Sequence, residues 1–140
     1  MKLVIDANEY IFAFGIVEET PNRTLLDYLL IHSARNKTFI CRTIINEVQR
    51  NLVAPRLKDF FDYVYSVCIV DEDYIVPFEL GAVYENEGLK PADAFIAAYA
   101  EHIGANLLVS ENRHFLSHHS GLPFHVVKAV ECLRQLKGSH

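Results

Sequence analysis

Cysteine is scarce in this chain, basic residues are outnumbered by acidic ones, and no apolar run is long. Each shortage closes a class of protein. The three cysteines, Cys41, Cys68 and Cys132, lack any C-x-x-C spacing. An odd count in apolar surroundings argues against a disulfide framework and reads as core thiols. No stretch approaches the roughly 18 apolar residues of a membrane span, and the opening run Leu3-Val4-Ile5 is broken at Asp6 before it could act as a signal peptide. A soluble, cytoplasmic protein with no membrane partner is expected. The formal net charge of -5 gives no general attraction for phosphate backbones, so a nucleic acid would have to be held by local basic residues or through a metal.

Internal repeats and low-complexity tracts are missing too. The remaining composition, 51% hydrophobic and 22% charged over 140 residues, suits a globular chain with a substantial core. One domain over residues 1–137 is expected, with Gly138-Ser139-His140 read as an expression-tag remnant. Five short apolar runs recur, at Leu3 to Ile5, Thr38 to Cys41, Val67 to Val70, Leu107 to Val109 and Phe124 to Val127. Near-continuous apolar character is expected of strands covered on both faces, and the segments between them carry helical periodicity. The pattern predicts an α/β fold, a three-layer α/β/α sandwich around a central parallel five-stranded sheet.

The helices are placed by their start signals. Thr20-Pro21 begins one that carries Leu25, Leu26, Leu29 and Leu30. Thr43 is expected to N-cap a second, with Ile44, Val48 and Leu52 inward and Glu47 near its start, and Pro55 to open a third through Phe60, Phe61 and Val64. A fourth is predicted from Tyr74 to Glu85 with Phe78, Leu80, Ala82 and Val83 apolar, stopped by Asn86-Glu87-Gly88. Pro91 takes the first position of a fifth, whose stripe of Asp93, Ile96, Ala97 and Ala100 must face the sheet.

In a right-handed βαβ unit the connecting helices run antiparallel to the strands, so helix beginnings lie at the edge where strands end. Asp6 ends the first strand, Glu47 is early in the helix after the second, Asp93 opens the helix before the fourth, and Ser110-Glu111-Asn112 ends the fourth. Carboxylates crowded at one edge repel unless a cation or another strong partner lies between them. An all-oxygen set of this kind suits magnesium or manganese. Taken singly, each acid also has a plainer role, as a turn cap, a helix-dipole charge or a solvated surface group. His114, His118 and His119 read as loop polar groups, because no cysteine or spaced histidine completes a zinc set.

Over nearly its whole length the chain resembles the PIN-domain ribonucleases, and within them the small toxins of VapBC type. The resemblance is carried by V-I-D-A-N with Asp6 and Asn8, by T-I-I-N-E-V with Glu47, by P-A-D-A-F-I-A-A-Y-A with Asp93, and by L-V-S-E-N-R-H-F with Ser110 and Asn112. It implies a metal-dependent endoribonuclease that hydrolyses RNA phosphodiester bonds, with a small antitoxin partner and a homodimer. Asp6 and Asp93 would hold Mg2+ or Mn2+, with Glu47 in direct or indirect contact. Ser110 would bond a neighbouring carboxylate or a phosphate oxygen, while Asn8 and Asn112 orient the ligands. Arg42 and Arg113 are candidates for RNA phosphate contacts. Where many relatives carry an aspartate, this chain has Asn112, a carbonyl oxygen without charge, and Glu111 beside it could take the acid's place. Tyr10, Phe12 and Phe14 could dock an antitoxin or pack the first helix into the core. Two rival readings stand beside this one. The first is a non-catalytic binding module on the same fold, weakened at Asn112. The second is a phospho-acceptor receiver-like domain, disfavoured because no acid pair follows the first strand, although the third ends Val70-Asp71.

Overall fold

A computed structural model describes residues 1–15, 19–117 and 121–138, without the side chain of Ser117. Its strands are β1 (Lys2–Ile5), β2 (Lys37–Cys41), β3 (Cys68–Asp71), β4 (Leu107–Val109) and β5 (His125–Val127). All are paired parallel in the order β3-β2-β1-β4-β5. Leu3, Val4 and Ile5 of β1, and Leu107, Leu108 and Val109 of β4, are shielded from water, as strands in the middle of a doubly covered sheet must be. The expected two-sided cover fails at β3, where Ile69 is 43% exposed. This strand closes one side of the sheet, and only β2 lies beside it.

Helices α1 (Ala7–Gly15), α2 (Pro21–Ile31), α3 (Arg42–Asn51), α4 (Ala54–Val67) and α8 (Ala129–Gly138) pack against one another, while α5 (Phe78–Asn86) and α6 (Pro91–His102) form a separate pair, with α6 also touching β4. The short α7 (Arg113–Ser117) follows β4. Right-handed crossovers explain the split: the chain steps from β1 to β2 to β3 in one direction and returns past β1 to β4 in the other, which moves its helices to the opposite face. Tyr10 and Phe14 of α1 meet Phe60 and Tyr63 of α4 edge to face. These two aromatics are therefore core residues, and the alternative of a Tyr10-Phe12-Phe14 docking face is not what the fold shows, since only Phe12 is exposed.

Two helix starts differ from expectation. Thr43 is not the N-cap of α3, which begins at Arg42 after Cys41. The free N–H of Thr43 is instead accepted by Asp73 Oδ1 at 2.9 Å, and its hydroxyl donates to Asp73 Oδ2 at 2.7 Å. A carboxylate from beyond β3 thus satisfies the helix start, which no local motif reveals. The helix expected from Tyr74 is broken into a 3-10 turn at Asp73–Ile75 and α5 by Pro77, and Phe78 is 87% exposed while Tyr84 is the buried residue of α5. In α6, Ile96, Ala97 and Ala100 are buried as expected, and Ala94, Ala98 and Tyr99 join them. Gly104, at φ 73, then takes the left-handed conformation that turns the chain from α6 into β4. Of the supposed tag remnant, Gly138 ends α8, and residues 139 and 140 lie outside those described, as do His118 and His119.

Candidate active site

Strand order fixes where this fold can act. The chain leaves β1 toward β2 and later reaches β4 on the other side, so the switch point of the sheet lies beyond the carboxyl ends of β1 and β4. Asp6 and Ser110 stand there, each continuing the sheet by one hydrogen bond: Asp6 N–H to Val109 O and Ser110 N–H to Val127 O, both 2.9 Å. Doubly wound sheets often cradle a phosphate at this place on a glycine-rich turn and a helix N-terminus. Here the turn is Asp6-Ala7-Asn8, and Asp6 Oδ1 itself accepts the first N–H of α1, from Ala7 at 2.8 Å. A negative group occupies the anion position, so a phosphate could approach only with positive charge in between.

Asp6 is nearly buried, and its other oxygen, Oδ2, accepts from Ser110 Oγ at 2.9 Å. Burial pushes its carboxyl up to about 6, against the opposing pull of Ser110 and the Ala7 N–H, and the charges of Glu47 and Asp93 push it further the same way. Three acids from β1, α3 and α6 therefore share one electrostatic neighbourhood. A relay of hydrogen bonds ties two of them. Ser110 Oγ accepts the Asn112 N–H at 3.0 Å, and Asn112 Nδ2 donates to Asp93 Oδ1 at 3.2 Å. The Asn112 carbonyl does not turn toward the acids, because its Oδ1 accepts the His114 N–H at 2.9 Å and so caps α7. Among the described residues, no group of three or more histidine, cysteine, aspartate or glutamate side chains is arranged so as to hold a metal ion. Even so, the donor chemistry fits a hard dication: oxygen ligands only, with like charges on neighbouring elements that raise one another's cost.

The other expected site residues fall less centrally. Glu47 is half-buried in the second turn of α3, and Asn8 is exposed on α1. Arg42 is engaged by Glu72 through Nη2 at 2.7 Å and Nε at 3.3 Å, and the guanidinium holds the Glu72 carboxyl below its usual range. Arg113 is exposed at the start of α7. Glu111 does not take the place of a missing aspartate in the relay. It faces Glu9, a fully buried residue of α1 that sequence reasoning overlooked. The signal for Glu9 was faint: it shares an inward stripe with Ala13 one turn later, between exposed Asn8 and Phe12. Each of the three cysteine thiols is pushed up to about 12, chiefly by burial, which disfavours the thiolate. Asp71, at the end of β3, accepts the Tyr99 hydroxyl at 2.7 Å. The strand order also differs from the 2-1-3-4-5 order of receiver sheets.

Residues 3–119 match the family model described as PIN domain. This chain belongs to the PIN domain family. Members of the family are generally nucleases, so hydrolase chemistry follows at that level. Among solved structures it is similar to a chain of the VapBC2 complex from Rickettsia felis, solved bound to a DNA fragment from their promoter. That match has a TM-score of 0.63 at 19% identity and covers 91% of this chain and 98% of the other. At that identity the likeness establishes the PIN fold alone. A comparison with curated proteins finds no match.

Proposed function

We propose that this PIN domain protein is a metal-dependent endoribonuclease and the toxin of a VapBC-type pair, acting in the cytoplasm on RNA. The observation that carries the reading is the relay from Asp6 through Ser110 and Asn112 to Asp93, set at the switch point with Glu47 in electrostatic reach. Asp6 and Asp93, with Glu47, are the residues that would hold Mg2+ or Mn2+. When bound, such an ion makes water nucleophilic near neutral pH and offsets charge growing on the scissile phosphate. Ser110 fixes the Asp6 carboxylate and Asn112 fixes that of Asp93, so neither has to reorganise as substrate arrives. Among the described residues the Glu47 carboxylate makes no side-chain hydrogen bond, and it would orient the attacking water. Arg113, exposed beside the turn, is the better-placed candidate for a phosphate contact, because Arg42 already has an anionic partner.

An antitoxin and a homodimeric partner belong to the same reading. The similarity to a chain of a VapBC complex supports the first. Tyr74 and Phe78, both more than 80% exposed, leave apolar surface of the kind that a second protein covers. The binding-module alternative draws support from Asn112 alone, whose amide takes a place where an acid would attract the cation more strongly. Cleavage of cellular RNA with Mg2+ or Mn2+, followed by sequencing of the fragments, separates the two. Wild type should cut, while chelator or Asp93→Asn should lower the rate by about a hundredfold or more. Undiminished cleavage by Asp93→Asn would discard this mechanism, and a wild type that binds Mn2+ without cutting would select the binding module.

A further inference from the structure

Two of the three acids at the switch point have donors of their own: Ser110 and the Ala7 N–H hold Asp6, and Asn112 holds Asp93. Glu47 differs. Its carbonyl accepts from Asn51 Nδ2 at 2.8 Å, but among the described residues no donor reaches its carboxylate. The direction of that carboxylate is therefore set by how α3 leaves β2, and Thr43, one turn earlier, lies on the same face of the helix. Cys41, at the cap position, offers α3 no side-chain bond, so the free N–H groups of the first turn need a partner from elsewhere. Asp73 is that partner: its Oδ1 accepts the Thr43 N–H at 2.9 Å and its Oδ2 accepts the Thr43 hydroxyl at 2.7 Å. A carboxylate that grips one residue through both oxygens fixes the rotation of the helix start as well as its place.

A tie of this kind positions a helix only if its far end is fixed. Asp71, the last residue of β3, is registered against Cys41 and accepts the hydroxyl of the buried Tyr99 at 2.7 Å. Two residues on, Asp73 opens the 3-10 turn, its carbonyl accepting the Val76 N–H at 3.1 Å. The segment after β3 is thus fastened to α6, which carries Asp93, and to α3, which carries Glu47. We infer that Asp73 is a positioning residue, which grips Thr43 and so sets the turn of α3 from which Glu47 reaches toward Asp6. Its catalytic consequence rests on the nuclease reading of the site. Asp73 acts through Glu47 alone, and a plain helix cap in its place would serve stability and nothing more.

The test uses the full chain and reads the metal-free Tm, the Mn2+ dissociation constant by calorimetry, and RNA cleavage in Mg2+ at a temperature where every variant is folded. Asp73→Ala should lower Tm and weaken Mn2+ binding about tenfold. It should also lower kcat about tenfold with KM within about twofold, since a misplaced group near the reacting atoms costs rate and not substrate contacts. Asp73→Asn should restore most of both losses, because its Oδ1 still accepts the Thr43 N–H and its amide donates to the Thr43 hydroxyl. Thr43→Val, which removes the hydroxyl bond and keeps the N–H bond, should fall between the two. With Glu47 already changed to alanine, Asp73→Ala should add nothing to the loss of Mn2+ affinity. A lower Tm with wild-type Mn2+ affinity and kcat is the signature of a cap alone and overturns the inference. So does a loss in Asp73→Ala that persists in full beside Glu47→Ala. If Asp73→Ala does not fold, Thr43→Val decides, and wild-type affinity and kcat in that variant overturn the inference. A wild type that binds Mn2+ and cuts no RNA removes the nuclease reading alone, and Asp73 is then judged on Mn2+ affinity. A wild type that neither binds nor cuts overturns both.

Discussion

Two groups of acids lie at one end of this sheet, and they meet like-charge repulsion in different ways. Asp6 and Asp93 are held by Ser110, the Ala7 N–H and Asn112, and Glu47 of α3 lies in electrostatic reach of Asp6. Glu9 is fully buried, and the half-buried Glu111 is its acidic neighbour. The first group keeps room for a positive charge supplied from outside, while burial and its acidic neighbour bias Glu9 toward the neutral form. What separates them is access: a dication needs several oxygens and a route from solvent, whereas a proton needs neither. The proposed chemistry therefore belongs to the open group.

The strongest way to sharpen this contrast is to change pH without metal. Asp6 has a folded-state pKa of about 6, above its ordinary 3.8, so the folded protein binds this proton more tightly than the unfolded chain. Stability from this group is complete below the unfolded value and is lost as pH rises through the folded one. The loss is about 3 kcal/mol at most by pH 7. Glu9, also raised, has the same sign and loses its contribution at more alkaline pH. Urea unfolding in chelator should show wild type weakening between about pH 4 and about pH 7. Asp6→Asn should flatten that decline, and Mg2+ should reverse it in wild type but not in the variant. A wild-type curve that is level over this range would show that the open group carries no strain for a cation to relieve.

The sequence makes the open group far easier to see than the enclosed one. Strands buried on both faces read as apolar runs, and the rule that strand ends and helix starts share an edge brings Asp6, Asp93 and Ser110 together without coordinates. Glu9 obeys no such rule. A glutamate in the first turn of a helix is ordinarily a solvated charge favoured by the dipole, and its partner Glu111 is remote in the chain. Arg42 with Glu72, and Thr43 with Asp73, escaped for the same reason: each pair spans a β-strand and a helix hairpin, so only the fold makes them neighbours. Breaks caused by Pro77, and the exposure of Phe78, followed from a turn that helical periodicity alone does not register.

Asn112→Asp tests whether the open group can be made more demanding. The variant replaces the Nδ2 donor to Asp93 with a second carboxylate, which raises repulsion in the metal-free protein and adds a charged ligand when a cation binds. Tm without metal should fall, and Mg2+ affinity measured by calorimetry should rise about tenfold. An unchanged dissociation constant would place this turn away from the ion and leave Asn112 as the cap of α7 only.

The smallest effect is expected at Arg42, and its partner makes that expectation checkable. Both side chains of the Arg42–Glu72 pair are more than a third exposed, so the pair adds little to stability. Its consequence is for availability, because a guanidinium already bridged by a carboxylate can reach a phosphate only by giving up those two bonds. Arg42→Ala should therefore change KM for RNA by less than about threefold, whereas Arg113→Ala should raise it more. Glu72→Ala is the sharper variant: it frees Arg42 at the same edge of the sheet and should lower KM, more so at low salt, where an unscreened cation reaches further. A large loss in Arg42→Ala would mean that substrate displaces Glu72, and that β3 contributes to the open group as much as β1 and β4 do.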